Sequence, residues 1–179
     1  MFEEEYNNLP FGQWKILQEI KIRGHFLYLS ANLEYYIIKI IVYCDTKNPE
    51  ISRKFKNCML SKKLTWMKKD LETHFPKKSA KLTTCFSILE NKLLAIRNHI
   101  AHCVIYFDEN EYDRSFIEVH DIKFIDNENK FEIIRYSLDE LQQAIEEFKQ
   151  VNFQLLKVWQ ELVQDYKLNH PDSPNAFIS

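Results

Sequence analysis

Two glycines, Gly12 and Gly24, are all that 179 residues contain. Glycine supplies the positive φ angles of tight turns and lets a backbone come close to a ligand. A chain with almost none is poorly suited to glycine-rich phosphate loops, dinucleotide folds or multi-stranded sandwiches. Helices joined by few loops are what remains. Hydrophobic residues make up 45% and aromatics 14%, enough for a packed core rather than a disordered chain. The length suits one domain. A single domain over residues 1–179 is therefore expected, with poorly ordered ends at 1–10 and 167–179.

The apolar pattern divides this domain. Trp14, Leu17 and Ile20, then Leu33, Ile37, Ile40, Ile41 and Cys44, recur at helical spacing. They predict one long helix bent near Gly24 or Ser30, or two helices in series, closed by Asn48-Pro49. A second helix is predicted over about 52–74, with Phe55, Met59, Leu64, Met67 and Leu71 inward and lysines outward. Phe75-Pro76 interrupts it. A third runs from about Ser79 to Cys103, with Leu82, Phe86, Leu89, Leu93, Ile96 and Ile100 on one stripe. Residues 108–113 read as a polar loop. Two alternating runs, 116–125 and 130–136, flank Asp126-Asn127-Glu128-Asn129 and predict a β-hairpin. Ser137-Leu138-Asp139-Glu140 fits a capping box and opens a last helix carried by Leu141, Ile145, Phe148, Phe153, Leu156, Trp159 and Val163 to about Tyr166. The aromatics Tyr35, Tyr36, Trp66 and Trp159 are expected in the core.

The four cysteines, at 44, 58, 85 and 103, have no CxxC spacing and no signal peptide before them. Free thiols in a cytoplasmic protein are the expectation. The longest apolar run, Tyr35 to Cys44, is too short to span a bilayer. A net charge of −2 hides an asymmetry. Residues 53–81 hold ten basic and two acidic side chains, whereas 104–179 hold sixteen acidic and seven basic ones. The basic stretch, with Lys62, Lys63, Lys68 and Lys69, could track an RNA backbone. The plainer reading is a solvated outer helix face.

Arg97-Asn98-His99-Ile100-Ala101-His102 is the one stretch with parts suited to phosphate chemistry. Arginine offers a permanent fork matched to phosphate oxygens, and histidine exchanges protons near neutral pH. At about 100° per residue, Asn98 and His102 share a face, Arg97 borders it, and small Ala101 lies between. All three point away from the apolar stripe. His99 falls on another face beside Cys103 and is a secondary candidate. The alternative is a solvated face in which Arg97 pairs with a surface carboxylate and His102 meets a helix C-terminus. His99, His102 and Cys103 as metal ligands lack the convergent partners that zinc needs, so no metal and no cofactor are expected.

Arg97, Asn98 directly after it, and His102 together resemble the signature of the HEPN superfamily (higher eukaryotes and prokaryotes nucleotide-binding domains). The resemblance is sharp at those three residues and covers the helical order from about 13 to 166. It implies an all-α fold, a four- to five-helix HEPN-like bundle, with the β-hairpin inserted before the last long helix. It implies a metal-independent endoribonuclease that works as a homodimer with two motifs face to face, commonly a toxin or prokaryotic antiviral defence effector with an antitoxin or regulatory partner. It also hints at an acidic residue near the motif, for which Glu34 is the candidate; a lone surface carboxylate is the plainer account. Some toxin branches carry a tyrosine two residues after the histidine. Val104 stands there, and the nearest tyrosine is Tyr106. Other members only bind nucleotide, RNA or a partner protein, so a non-catalytic module stays open.

Overall fold

The computed structural model describes residues 9–44, 58–107, 115–125 and 128–169. They are mostly helical, with one small three-stranded antiparallel sheet. The expected closure at Asn48-Pro49, the inward Phe55, the polar loop 108–113 and most of both termini lie outside the described residues. The chain forms two compact units, residues 1–30 with 92–148 and residues 31–91 with 149–179.

Helix α1, Phe11–Cys44, runs unbroken through Gly24 and Ser30, so this stretch is one helix and not two in series. Ser30 donates its hydroxyl to the Phe26 carbonyl at 2.6 Å, which satisfies a buried polar group without opening the helix. Its inward face in the first unit is Trp14, Ile22, Phe26 and Leu29. The expected Leu17 and Ile20 are instead exposed. Apolar residues stand on both sides of this segment, and periodicity alone cannot say which side a core will cover.

The rest of the first unit surrounds that face. Phe107 meets Trp14 edge-on at 5.5 Å, and Phe148 meets Phe26 likewise at 6.2 Å. Strands β1 (Val104–Tyr106), β2 (Phe116–Ile125) and β3 (Glu128–Ser137) pair in that order. β1 was not foreseen; three residues give too short a run for a period-2 signal. Ile105 opposite Val119 and Ile117 opposite Tyr136 set the register, and Ile105, Ile117 and Val119 are buried. Helix α6, Leu138–Asn169, begins at the expected capping box. The Ser137 hydroxyl accepts the Glu140 N–H at 3.1 Å, and the Glu140 carboxylate accepts the Ser137 N–H at 2.7 Å.

That box has a measurable consequence. Hydrogen bonds from the backbone N–H and hydroxyl of Ser137 hold the Glu140 carboxyl below its ordinary pKa. A lowered folded pKa stabilises the fold above the unfolded glutamate value of about 4.3 and is lost as pH falls through the folded value. Ser137→Ala is expected to cost about 1 kcal/mol in denaturant unfolding at neutral pH. The cost should shrink below about pH 4; a cost unchanged on acidification would contradict the box.

In the second unit, α2 (Leu60–His74) buries Leu64, Met67 and Leu71, but Met59 is 80% exposed just before it. Phe75 closes α2 and Pro76 opens the short α3, Pro76–Lys81, a place where a missing N–H does no harm. The expected third helix is a helical run in pieces: α3, then α4 (Thr83–Ile88), one π turn (Leu89–Leu93) and α5 (Leu94–His102). All six stripe residues from Leu82 to Ile100 are buried. Tyr43 centres an aromatic group with Phe75, Trp159 and Tyr166, each at 5.9–6.0 Å. Farther along α6 the buried residues are Val151, Leu155, Val158 and Leu162, and Phe153 is exposed under Lys157. The expected list stepped from Phe148 to Phe153, which favours bulk over the three- or four-residue period. Tyr35, expected in the core, is 53% exposed.

Candidate functional site

The arginine, amide and histidine of the hexapeptide converge on one atom. Arg97 Nη1 donates to Asn98 Oδ1 at 3.0 Å and stands 3.2 Å from His102 Nε2. A guanidinium can only donate, so in this contact His102 Nε2 is the acceptor. Both hydrogens of Nη1 are thereby used within the motif. Arg97 Nε is buried and has no hydrogen-bond partner among the described residues. Asn98 and His102 are exposed and Arg97 is half-buried. The three share one side of α5, opposite buried Ile96 and Ile100.

His99 belongs to a different side, as its angular position predicts. Its Nδ1 lies 2.7 Å from the Tyr136 hydroxyl on β3. Burial pushes the Tyr136 phenol above its ordinary pKa, so it remains a protonated partner. Cys103 lies on the same side, its Sγ 3.4 Å from Asp121 Oδ1 on β2. The sheet therefore meets the side of α5 that carries His99, and Cys103 just past its end.

The end of α5 is held by a residue that sequence reasoning did not single out. Arg23 on α1 donates through Nη1 to the Ile100 carbonyl and through Nη2 to the Cys103 carbonyl at 2.8 Å. Its Nε donates to Glu19 at 2.9 Å. The last carbonyls of a helix lack internal partners and carry partial negative charge. Arg23 satisfies that of Ile100 and that of Cys103, the residue after the helix. His102 itself is the last residue of α5, the C-terminal place that the plainer alternative gave it, whereas the Nη1 bonds of Arg97 go to the motif rather than to a carboxylate among the described residues. No local pattern could have revealed Arg23, because its partners lie 77 and 80 residues away.

The remaining candidates fall in the second unit. Lys63 is 3% exposed and donates to Glu34, so it does not present its ammonium to solvent and Glu34 is not a lone carboxylate. Lys68 pairs with Glu90 at 3.4 Å. Lys62 lies over the Trp66 ring at 5.3 Å, and Lys69 is exposed. Lys78 reaches Glu161 and Asp165 at 3.1 and 2.9 Å, and Lys81 reaches Glu161 at 2.7 Å. Those lysines hold the Glu161 carboxyl below its ordinary pKa. Part of the basic stretch is thus matched internally to acidic residues of α6. Tyr35 and Trp159 line an open cleft of about 400 Å³ with Lys39, Gln160, Gln164 and Lys167.

None of the four cysteines is in a disulfide. No three His, Cys, Asp or Glu side chains converge as a metal set among the described residues. No described helix is long and apolar enough to cross a membrane. No family model, curated protein or solved structure matches the chain.

Proposed function

We propose that the chain is a HEPN-type endoribonuclease, metal-independent and active as a homodimer. The observation that carries the reading is the contact of Arg97 Nη1 with both Asn98 Oδ1 and His102 Nε2. A base, a permanent cation and an orienting amide meet on one exposed face, without a carboxylate between them.

RNA brings its own nucleophile. His102 Nε2 takes the proton of a 2′-hydroxyl as that oxygen attacks the adjacent phosphorus. The bond from phosphorus to the 5′-oxygen breaks, and His102 of a second copy, entering protonated, gives that oxygen its proton. Arg97 turns from His102 to the phosphate oxygens, which frees Nε2 and stabilises the charge of the phosphorane. Asn98 keeps the guanidinium oriented through the exchange. One copy supplies one histidine, and two copies related by a twofold axis supply the acid and the base. A toxin or antiviral defence effector, restrained by an antitoxin or regulatory protein, is the matching cellular role.

The test is purified protein on end-labelled RNA in excess EDTA. Cleavage is expected to persist and to leave 2′,3′-cyclic phosphate and 5′-hydroxyl ends. Activity that returns only with magnesium or zinc would sink the mechanism. One feature favours a second reading: Arg97 occupies His102 Nε2 in the free protein. RNA or nucleotide bound without cleavage, and bound equally by His102→Ala, would make the chain a binding module.

A further inference from the structure

Between Ile16 and Ala31, every exposed residue of α1 lies within one arc of about 120°, counted at 100° per residue. They are Ile16, Leu17, Ile20, Gly24, Leu27, Tyr28 and Ala31, and none is charged. The charged residues of the segment, Glu19, Lys21 and Arg23, are only half-exposed beside it. A helix of a globular protein normally turns its charges outward. Here the outward face is the apolar one, and the inward face is apolar as well.

We infer that this face docks on the same face of a second copy, with the twofold axis near Gly24. The area supports a copy of this chain. Ile16, Leu17, Ile20, Leu27 and Tyr28 are 59, 38, 64, 49 and 66% exposed. At roughly 200 Å² per large side chain, they offer on the order of 500 Å². A standard interface takes about 800 Å² from each partner, and about two-thirds of it is apolar in homodimers. The two figures agree.

Gly24 supplies the crossing point. A glycine inside a helix costs about 1 kcal/mol relative to alanine, yet a Cβ at this position would meet nothing within 4 Å. Nothing among the described residues requires the missing side chain. In an antiparallel pair the closest approach falls on the axis, where one residue meets its own copy. Centred on Gly24, Ile20 of one protomer meets Tyr28 of the other. Arg23, next to this axis, holds the end of α5 through Ile100 and Cys103. This pairing is the contact between copies that the dimer of the proposed ribonuclease would use. The docking itself rests on α1 alone.

The experiment is sedimentation of the full chain without RNA, together with a Gly24→Cys variant. Wild type is expected to be dimeric at micromolar concentration. Ile20→Glu, on a side chain already 64% exposed, should weaken the dimer at least about 100-fold with the far-ultraviolet dichroism and melting of the protomer intact. Gly24→Cys should form a disulfide-linked dimer on mild oxidation when wild type, with its four cysteines, does not. A monomer at every concentration overturns the inference. So does a dimer that ignores Ile20→Glu and does not cross-link at position 24. Binding of the monomer to anionic lipid vesicles, lost in Ile20→Glu, would assign the stripe to a membrane surface instead. Dimerisation with no RNA cleavage would leave this pairing standing and remove the ribonuclease.

Discussion

His102→Ala is expected to lower RNA cleavage by about 10²- to 10⁴-fold, the usual worth of a positioned proton-transfer group. Arg97→Ala should lose a comparable amount, because the phosphorane then forms without its fixed cation. Arg97→Lys keeps the charge but not the fork that reaches Asn98 and a phosphate together, so it should recover little. His102 is exposed, and its Nε2 meets Arg97. Stability should therefore change by less than about 1 kcal/mol for His102→Ala. His99→Ala should behave in the opposite way. Most cleavage should survive, but the half-buried Tyr136 hydroxyl loses its partner, a cost of about 1–3 kcal/mol. Rates from labelled RNA and unfolding curves on the same preparations give both numbers. Loss of cleavage in His99→Ala, with His102→Ala near wild type, would place the chemistry on the wrong face.

The contrast between these two histidines was legible before any coordinates. Three residues apart on one helix, they lie about 60° apart. The buried stripe from Leu82 to Ile100 fixes which way each points, and that stripe is fully buried in the structure. The hairpin, the capping box at Ser137 and the break at Phe75-Pro76 were legible for the same reason. Each is set by a few neighbouring residues and a period.

What stayed hidden is non-local or two-sided. α1 carries Trp14, Ile22 and Phe26 on one face and Ile16, Ile20 and Leu27 on the other. A wheel shows both stripes and cannot rank them, which is why Leu17 and Ile20 read as core and are exposed. Lys63 reads as one more lysine in a basic helix until Glu34, 29 residues earlier, is brought against it. The π turn at Leu89–Leu93 has no sequence signal either. It widens one turn just before the motif helix, a place where such turns often accompany function. Angles extrapolated through it drift, whereas those taken inside Leu94–His102 do not.

Arg23→Ala is expected to destabilise the protein more than His102→Ala does. Two carbonyls at the end of α5, Ile100 and Cys103, would lose their donor at once, and Glu19 would lose its ion pair. Arg23 is 25% exposed, so solvent would compensate in part. About 2 kcal/mol is the expected loss, equivalent to a melting temperature lower by roughly 4–8 °C in a chain of this size. Arg23→Lys should recover only part of that, because a single ammonium does not reproduce a fork spanning two carbonyls. His102 sits on the terminal turn that Arg23 holds. A shift of about 1 Å there can cost up to about 10² in rate. Cleavage by Arg23→Ala, measured well below its melting temperature, should therefore fall while its dependence on pH keeps the wild-type shape. A protein that lost neither stability nor rate with Arg23→Ala would show that the end of α5 is held by other contacts.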